Sequence, residues 1–330
     1  MFQMLTDPFG RVIDYLRISV TDRCNFRCLY CMPPEGVSEL PQEDFLTFEE
    51  IVEVATVFLA LGGRRIRITG GEPLVRRGIV DLVQKLSELS GLEDLALTTN
   101  GFHLSPLARS LKGAGLRRIN VSLDSLNPVR FARMTSCPRF DKVWQGIRKA
   151  VAVGLKTKIN VVVMKGVNDN EIVRFGRLAQ RFPLEVRFIE FMPLCGTGWH
   201  PEWVLPIGEV RAVLQQHFTL VPIERGGEVA ESYAIQGGEG GVGFIASLSE
   251  PFCQRCSRMR LTVDGKLRSC LFSNREIDVK GALRSCVSSR KEVARLIQEA
   301  VVRKPQGHGL TYPITIKDPR ELPKIRFVGG

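Results

Sequence analysis

At 330 residues, 44% hydrophobic and 25% charged, the chain can bury a large core in one big domain or two smaller ones, and its composition is ordinary for a globular protein. No run of about 18 apolar residues occurs, so no membrane span is expected. The net charge of +11 suits nucleic acid, a membrane surface or a polyanionic small molecule. The basic residues are dispersed, in short clusters such as Arg64-Arg65, Arg76-Arg77 and Arg117-Arg118. That leaves a solvated basic surface or an anion site, for which a phosphorylated substrate is the best-suited ligand. The start, Met1-Phe2-Gln3-Met4-Leu5-Thr6-Asp7, lacks the basic-then-apolar pattern of a secretory signal. A cytoplasmic location is expected, and it suits nine cysteines read as ligands rather than disulfides.

The first strand is expected at 16–20. It runs into Cys24-Asn25-Phe26-Arg27-Cys28-Leu29-Tyr30-Cys31, a C-x3-C-x2-C run on the loop leaving that strand. Three closely spaced thiols can converge on one metal centre. They fall one short of the four that close a structural zinc site or a fully ligated iron–sulfur cluster, so a cubane held by them keeps one iron open. A zinc loop, or thiols that merely pack, is the alternative.

Further strands are expected at 65–69, 95–99, 118–123, 158–164 and 185–190, all short and rich in Ile, Val and Leu. Helices are expected at 47–61, 78–89, 106–112, 141–153 and 169–181. Thr47, three before Glu50, suits a capping box, and Asp169 suits a cap for the fifth helix. Six β/α units with right-handed crossovers imply a parallel sheet curling towards a barrel. Six are too few for the closed eight-stranded form. The fold expected is therefore α/β, an incomplete (β/α)6 TIM-like barrel over 1–191, with its chemistry at the C-terminal ends of the strands. After Phe191 the alternation stops. Residues 192–330 are read as a C-terminal extension. It is Gly- and Pro-rich over 192–250, with a helix at 206–217 and then β-like pieces. It is helical again over 279–303 and ends in an extended surface tail over 311–330.

Cys253-Gln254-Arg255-Cys256 and Cys270 form a second triad, C-x2-C-x13-C. The close pair offers two sulfurs from one turn, and the third returns on a hairpin of 260–263 and 266–269 turned at Asp264-Gly265. Zinc would want a fourth ligand, with Cys286 or His308 in reach; two triads in one chain favour a second cluster with an open iron. Cys137, Cys195 and Cys286 lack ligand spacing and read as packed thiols. Gly70-Gly71-Glu72-Pro73 lets backbone approach a ligand closely, or is an ordinary turn. Ser122 and Asp124 lie near the end of the fourth strand. Met192 alone would read as core packing. Arg17 and Arg67 lie inside strands, where a charge facing the lumen is costly without an anion; the alternative is an outward, solvated side chain.

The first cysteine run, with aromatic Tyr30 before its last thiol, resembles that of the radical S-adenosylmethionine (SAM) enzymes. Five further segments extend the likeness over nearly the whole chain: Leu16-Arg17-Ile18-Ser19-Val20-Thr21-Asp22-Arg23, Arg67-Ile68-Thr69-Gly70-Gly71-Glu72-Pro73-Leu74, Leu97-Thr98-Thr99-Asn100-Gly101, Arg187-Phe188-Ile189-Glu190-Phe191-Met192-Pro193 and Arg258-Met259-Arg260. With the second triad and the terminal Gly329-Gly330, the chain is similar to the GTP 3′,8-cyclase family of molybdenum cofactor biosynthesis.

That resemblance implies the same partial barrel and two 4Fe–4S clusters, on Cys24, Cys28 and Cys31 and on Cys253, Cys256 and Cys270. SAM would chelate the open iron of the first, with Tyr30, Gly71, Ser122 and Met192 in contact with it. GTP would meet Arg17, Arg67, Thr98, Lys158, Arg258 and Arg260, the last two also being candidate catalytic residues for charge or proton delivery. Gly329 and Gly330 would form an activating tail that reaches the active site. The implied partners are an electron donor of flavodoxin or ferredoxin type and a downstream cyclic pyranopterin monophosphate synthase, with no nucleic acid and no membrane; a homodimer is compatible. Two rivals stay open at this point: a peptide-modifying radical SAM maturase with an auxiliary cluster, and a zinc-stapled, basic nucleic-acid-binding protein.

Overall fold

The computed structural model describes residues 4–33, 38–194, 197, 199–224, 228–285, 289–310 and 322. Its strands are β1 (Tyr15–Ser19), β2 (Arg65–Thr69), β3 (Asp94–Thr99), β4 (Arg118–Ser122), β5 (Lys156–Val163), β6 (Leu184–Glu190), β7 (Leu220–Ile223), β8 (Glu231–Ile235), β9 (Gly241–Ile245), β10 (Arg258–Leu261), β11 (Lys266–Arg268) and β12 (Ile277–Asp278). The helices are α1 (Phe48–Ala60), α2 (Ile79–Ser87), α3 (Leu104–Gly113), α4 (Pro128–Thr135), α5 (Phe140–Ala152), α6 (Ile172–Arg181), α7 (Ile207–Gln215), α8 (Lys280–Arg284) and α9 (Ser289–Val302). None of the described helices is long and apolar enough to cross a membrane.

The six expected strands are all present and pair in parallel in chain order. The C-terminal segment does more than follow them. It adds β10 in parallel beside β1 and β9 in parallel beside β6, and each addition carries antiparallel strands outward. One sheet of twelve strands results, in the order β12-β11-β10-β1-β2-β3-β4-β5-β6-β9-β8-β7. Both open edges of the partial barrel are thereby covered, which removes the unpaired backbone that an edge strand exposes.

Alternation within each strand explains the two-sided burial. In β1, Leu16 and Ile18 join the apolar core while Arg17 lines an inner cavity. Ile66 and Ile68 against Arg67, Ile119 and Val121 against Asn120, and Val186 and Phe188 against Arg187 repeat the pattern. Each strand thus gives its apolar side to the helices and its polar side to the lumen. Thr47 forms the expected capping box, with Glu50 N–H donating to its Oγ1 at 3.2 Å and Thr47 N–H donating to Glu50 Oε2 at 2.8 Å. Asp169 is not the cap of α6. It lies in a 3-10 turn before that helix, where its carboxylate accepts from the amides of Gly166 and Asn170. The short helix α4 was not expected from the sequence; Asn127 caps it by accepting from the amides of Val129 and Arg130, and Pro128 pre-sets its first turn.

Two buried polar residues stitch the extension to the barrel. Glu190, fully buried at the end of β6, accepts from Ile207 N–H at 2.9 Å, Leu248 N–H at 2.6 Å and Ser249 N–H at 3.1 Å, and also from the Ser249 hydroxyl. Near the N-terminus, Arg11 pairs with Asp7 at 2.6 Å and donates to the carbonyls of Cys253, Pro305 and Gln306 at 2.7–2.9 Å. Replacing Glu190 with alanine strands three buried amides. It is expected to lower stability by about 3–5 kcal/mol, read as a shift in denaturation midpoint, with Glu190→Gln costing less.

Candidate active site

Two chambers lie inside the sheet, and Asn160, Ile189 and Met192 line both. The first is built around Cys24, Cys28 and Cys31, and Tyr30, Gly71, Thr98, Ser122 and Met192 also line it. The cysteine loop is backed by α4: Arg27 N–H donates to Thr135 O and Leu29 N–H to Met134 O, both at 2.9 Å. From the other side, Gly71 N–H donates to Thr21 O at 2.6 Å and Glu72 N–H to Arg23 O at 2.8 Å. A Cβ on Gly71 would sit 2.3 Å from Arg23 O and 2.9 Å from Asp22 O, so only glycine allows this approach.

The neighbouring carboxylates are locked. Glu72, raised by burial to about 7, accepts from Leu74 N–H, Thr99 Oγ1–H and Asn100 N–H at 2.6–2.9 Å. Asp124, raised by burial to about 6, accepts from Tyr30 O–H at 2.7 Å and Val162 N–H at 2.8 Å. Tyr30 therefore meets the chamber with its hydroxyl already engaged. Burial, and for the last two the neighbouring thiols, pushes Cys24 up to about 11, Cys28 well up and Cys31 up to about 12. Arg27 offsets burial only in part at Cys24, whereas at Cys256 of the second triad Arg258 and Lys304 outweigh it. Loading metal here must therefore release thiol protons.

The second chamber is lined by Cys253, Cys256, Cys270, Arg17, Arg67, Arg187, Arg258 and Arg260. Burial raises Cys256, but Arg258 and Lys304 outweigh it and hold the thiol down at about 6. Lys304 lies 3.7 Å from its sulfur and donates to the carbonyls of Arg258 and Ser269. His308 also lines this chamber, but one ring nitrogen faces Ser247 O at 3.0 Å and the other accepts from Leu310 N–H at 3.0 Å, so neither is left for a metal. Among the described residues no three His, Cys, Asp or Glu side chains gather closely enough to hold a single metal ion. Each triad is a set of cysteines lining one chamber, a donor set that fits an iron–sulfur cluster, in which separate thiolates bind separate irons.

Cross-strand register fixes the charge. Arg17 pairs with Arg260 on one side and with Arg67 on the other, a row of three cations on one face. Like charges directly opposite destabilise a sheet. Burial first, then Arg258, lowers Arg260; burial, then Arg260 and Arg67, lowers Arg17. A guanidinium stays charged in proteins, so this downward pull reports the cost of burial together with repulsion from neighbouring cations, a setting that suits an anion. Tyr15, not anticipated from the sequence, takes Arg67 Nε–H on its hydroxyl at 2.6 Å and Arg118 at 3.3 Å. Both amide atoms of Asn120 in the second chamber, Thr98 Oγ1 in the first and Oδ1 of Asn160, which lines both, are buried without a hydrogen-bond partner. Such groups suit a polar ligand or ordered water.

Of the described residues picked from sequence for cluster, SAM or GTP, Lys158 alone lines neither chamber. It lines a third cavity, towards the N-terminal ends of the strands, and donates to both oxygens of Glu228 at 3.0 and 3.1 Å. Cys137 is buried in the core. Cys195, Cys286, Gly329 and Gly330 lie outside the described residues.

Two outcomes are expected. Gly71→Ala displaces the first cysteine loop and should cut iron uptake on reconstitution while leaving the far-ultraviolet dichroism of the barrel in place. Glu228 is opposed by burial but held down to about 2 by Arg187, Lys158 and Arg118. A depressed acid stabilises the fold above its unfolded value near 4.5 and loses that contribution as pH falls towards 2. The loss, of order 2 kcal/mol after allowance for its partial exposure, should vanish from the acid limb of the pH–stability curve in Glu228→Gln.

Comparison with known proteins places this geometry. A radical SAM superfamily model matches residues 18–179, and a model described as Molybdenum Cofactor Synthesis C matches residues 184–310. The GTP 3′,8-cyclase of Moorella thermoacetica is 47% identical over 92% of this chain and 95% of its own length. That of Desulforamulus reducens is 45% identical with the same coverage. Molybdenum cofactor biosynthesis protein 1 of Bos taurus is 44% identical over 94% of this chain, which spans 49% of that longer protein. Among solved structures, Streptococcus suis SuiB bound to its precursor peptide SuiA shares the fold with a TM-score of 0.61 at 16% identity, over 90% of this chain and 66% of SuiB. With relatives this similar along almost their whole length, and both family models side by side, the chain belongs to the GTP 3′,8-cyclase family of radical SAM proteins.

Proposed function

We infer that this chain converts GTP to 3′,8-cyclo-7,8-dihydro-GTP, the first step of molybdenum cofactor biosynthesis. The observation that carries the reading is the facing of two cysteine triads across one lumen, with the row Arg260, Arg17 and Arg67 beside the second. Cys24, Cys28 and Cys31 hold the 4Fe–4S cluster of the radical SAM family, and Tyr30, Gly71, Ser122 and Met192 contact SAM. When bound, cluster and SAM together supply a 5′-deoxyadenosyl radical.

The chain's own residues then have a positioning task. The product joins ribose C3′ to guanine C8, so sugar and base of one nucleotide must be held folded together. Arg17, Arg67, Arg258 and Arg260 receive the triphosphate, since the guanidinium fork suits phosphate oxygens. Thr98, in the first chamber, and the Asn120 that pairs with it across β3 and β4, in the second, would meet the sugar. Cys253, Cys256 and Cys270 would hold a second 4Fe–4S cluster in the chamber that takes the base. Arg258 and Arg260, which stay charged, act by stabilising charge. The apolar walls, Ile189, Ile245 and Phe252, keep water from the reacting atoms. Lys158 reaches only the far end of the triphosphate.

Within this reading residues 1–191 form the radical SAM barrel and 192–330 the extension. Gly329 and Gly330 form the activating tail. A flavodoxin- or ferredoxin-type donor supplies electrons, and a cyclic pyranopterin monophosphate synthase takes the product; a homodimer is compatible.

Anaerobic reconstitution with iron and sulfide, followed by dithionite, SAM and GTP, tests it. The expected result is about eight irons per chain and deoxyadenosine formed only when GTP is present. Near four irons, or SAM cleavage indifferent to GTP, would overturn the cyclase assignment and favour a maturase-like chemistry. Arg17→Ala should raise KM for GTP by about tenfold to a hundredfold, the weight of one or two charged hydrogen bonds.

A further inference from the structure

Below the substrate chamber three successive strands bring one cation each to a single point. These are Arg118 from β4, Lys158 from β5 and Arg187 from β6, and all three are buried. One carboxylate meets all three. Glu228, three residues before β8, takes Lys158 at 3.0 Å and Arg118 at 3.2 Å, and it pairs closely with Arg187.

Glu228 and Val229 also form a partition. Val229 lines the upper chamber with Arg17 and Arg67, whereas Glu228 lines the cavity beneath. Arg187 lines the upper chamber, so the same side chain is open to a ligand from above and held by Glu228. Two other acids share these cations: Asp94 holds Arg118 at 2.5–3.0 Å, and Glu185 holds Arg187 Nε at 2.6 Å and lies 3.5 Å from Lys158. Three cations face three carboxylates, and the local charge balances only while Glu228 is in place.

We propose that Glu228 is a resident counter-anion, which the outermost phosphate of the substrate displaces from Arg187 and Lys158 and which recaptures them as the product leaves. The idea rests on the preceding assignment of the arginines to a triphosphate. It adds a reason for Glu228. The product keeps the triphosphate, so every phosphate contact that aids binding also slows release, and a built-in competitor trims that shared affinity without touching the reacting atoms. A phosphate carries more charge and more acceptor oxygens than a carboxylate, so it can win the exchange. A monophosphate satisfied by the upper row never meets Glu228.

The test uses the full-length chain and inorganic tripolyphosphate, which has no base or sugar, beside GTP and GMP, with calorimetry as the readout. Glu228→Gln should tighten tripolyphosphate and GTP by about tenfold and leave GMP within twofold. In turnover the variant should show lower KM and lower kcat together, because release slows. In the wild-type chain, tripolyphosphate should speed hydrogen exchange at the amides of Val229 and Ala230; this needs no variant, should Glu228→Gln fold poorly. Weaker or unchanged tripolyphosphate binding in a folded Glu228→Gln, or unchanged exchange at Val229 and Ala230, overturns the proposal. Failure of the nucleotide assignment looks different: tripolyphosphate still responds to Glu228, while guanine and adenine triphosphates bind alike and no cyclised product forms.

Discussion

The structure turns on the burial of positive charge inside a sheet. Burying one unpaired cation is costly, and a row of three across adjacent strands is costlier still. Arg260, Arg17 and Arg67 nevertheless occupy matched positions on β10, β1 and β2. Further round the lumen, Arg118, Lys158 and Arg187 are matched by Asp94, Glu185 and Glu228. The upper row has thiols and a tyrosine hydroxyl among its neighbours. The floor is thus balanced by acids, and the row above it is where the proposed polyanion would bind. The apolar outer faces of the strands, packed under the helices, supply the stability that makes such a lumen tolerable.

The extension is as much part of this arrangement as the barrel. Arg258 and Arg260 reach the lumen because β10 lies beside β1, and that pairing is held in place from several directions. Arg11 clamps the turn carrying Cys253, Lys304 anchors the backbone around Cys256, and Glu190 ties the far edge to α7 and the segment after β9. Each of these is a buried charge with every partner in place, the condition under which buried polar groups make a structure specific rather than weak.

Much of this was legible in the residues. The six barrel strands show as apolar runs because parallel strands are buried on both faces, and Arg17 and Arg67 betray the lumen by interrupting them. The spacing of the first triad, with the segments around it, pointed to the radical SAM family. Other features were hidden for definite reasons. β9 and β10 are five and four residues long and gain their meaning only from neighbours distant in the chain, which local pattern cannot register. The helix α4 is polar on balance, so its capping residue Asn127 and the following Pro128 were its local signals, and they were missed. Asp169 was read as a cap from its type alone, although the backbone there makes a 3-10 turn. Tyr15, Arg11 and Glu228 act through pairings across the fold, and nothing adjacent in sequence marks them.

The pairing of β1 with β10 joins the first strand of the chain to one synthesised near its end. On the ribosome, β1 through β6 can assemble while one edge of β1 stays bare until the last quarter of the chain emerges. During that interval the first cysteine triad and its glycine loop already exist, but the arginine row still lacks Arg260. Cluster delivery to the first site can thus precede completion of the arginine row. A nascent chain stalled at that stage would present a naked parallel edge, the kind of surface that chaperones cover and that otherwise aggregates.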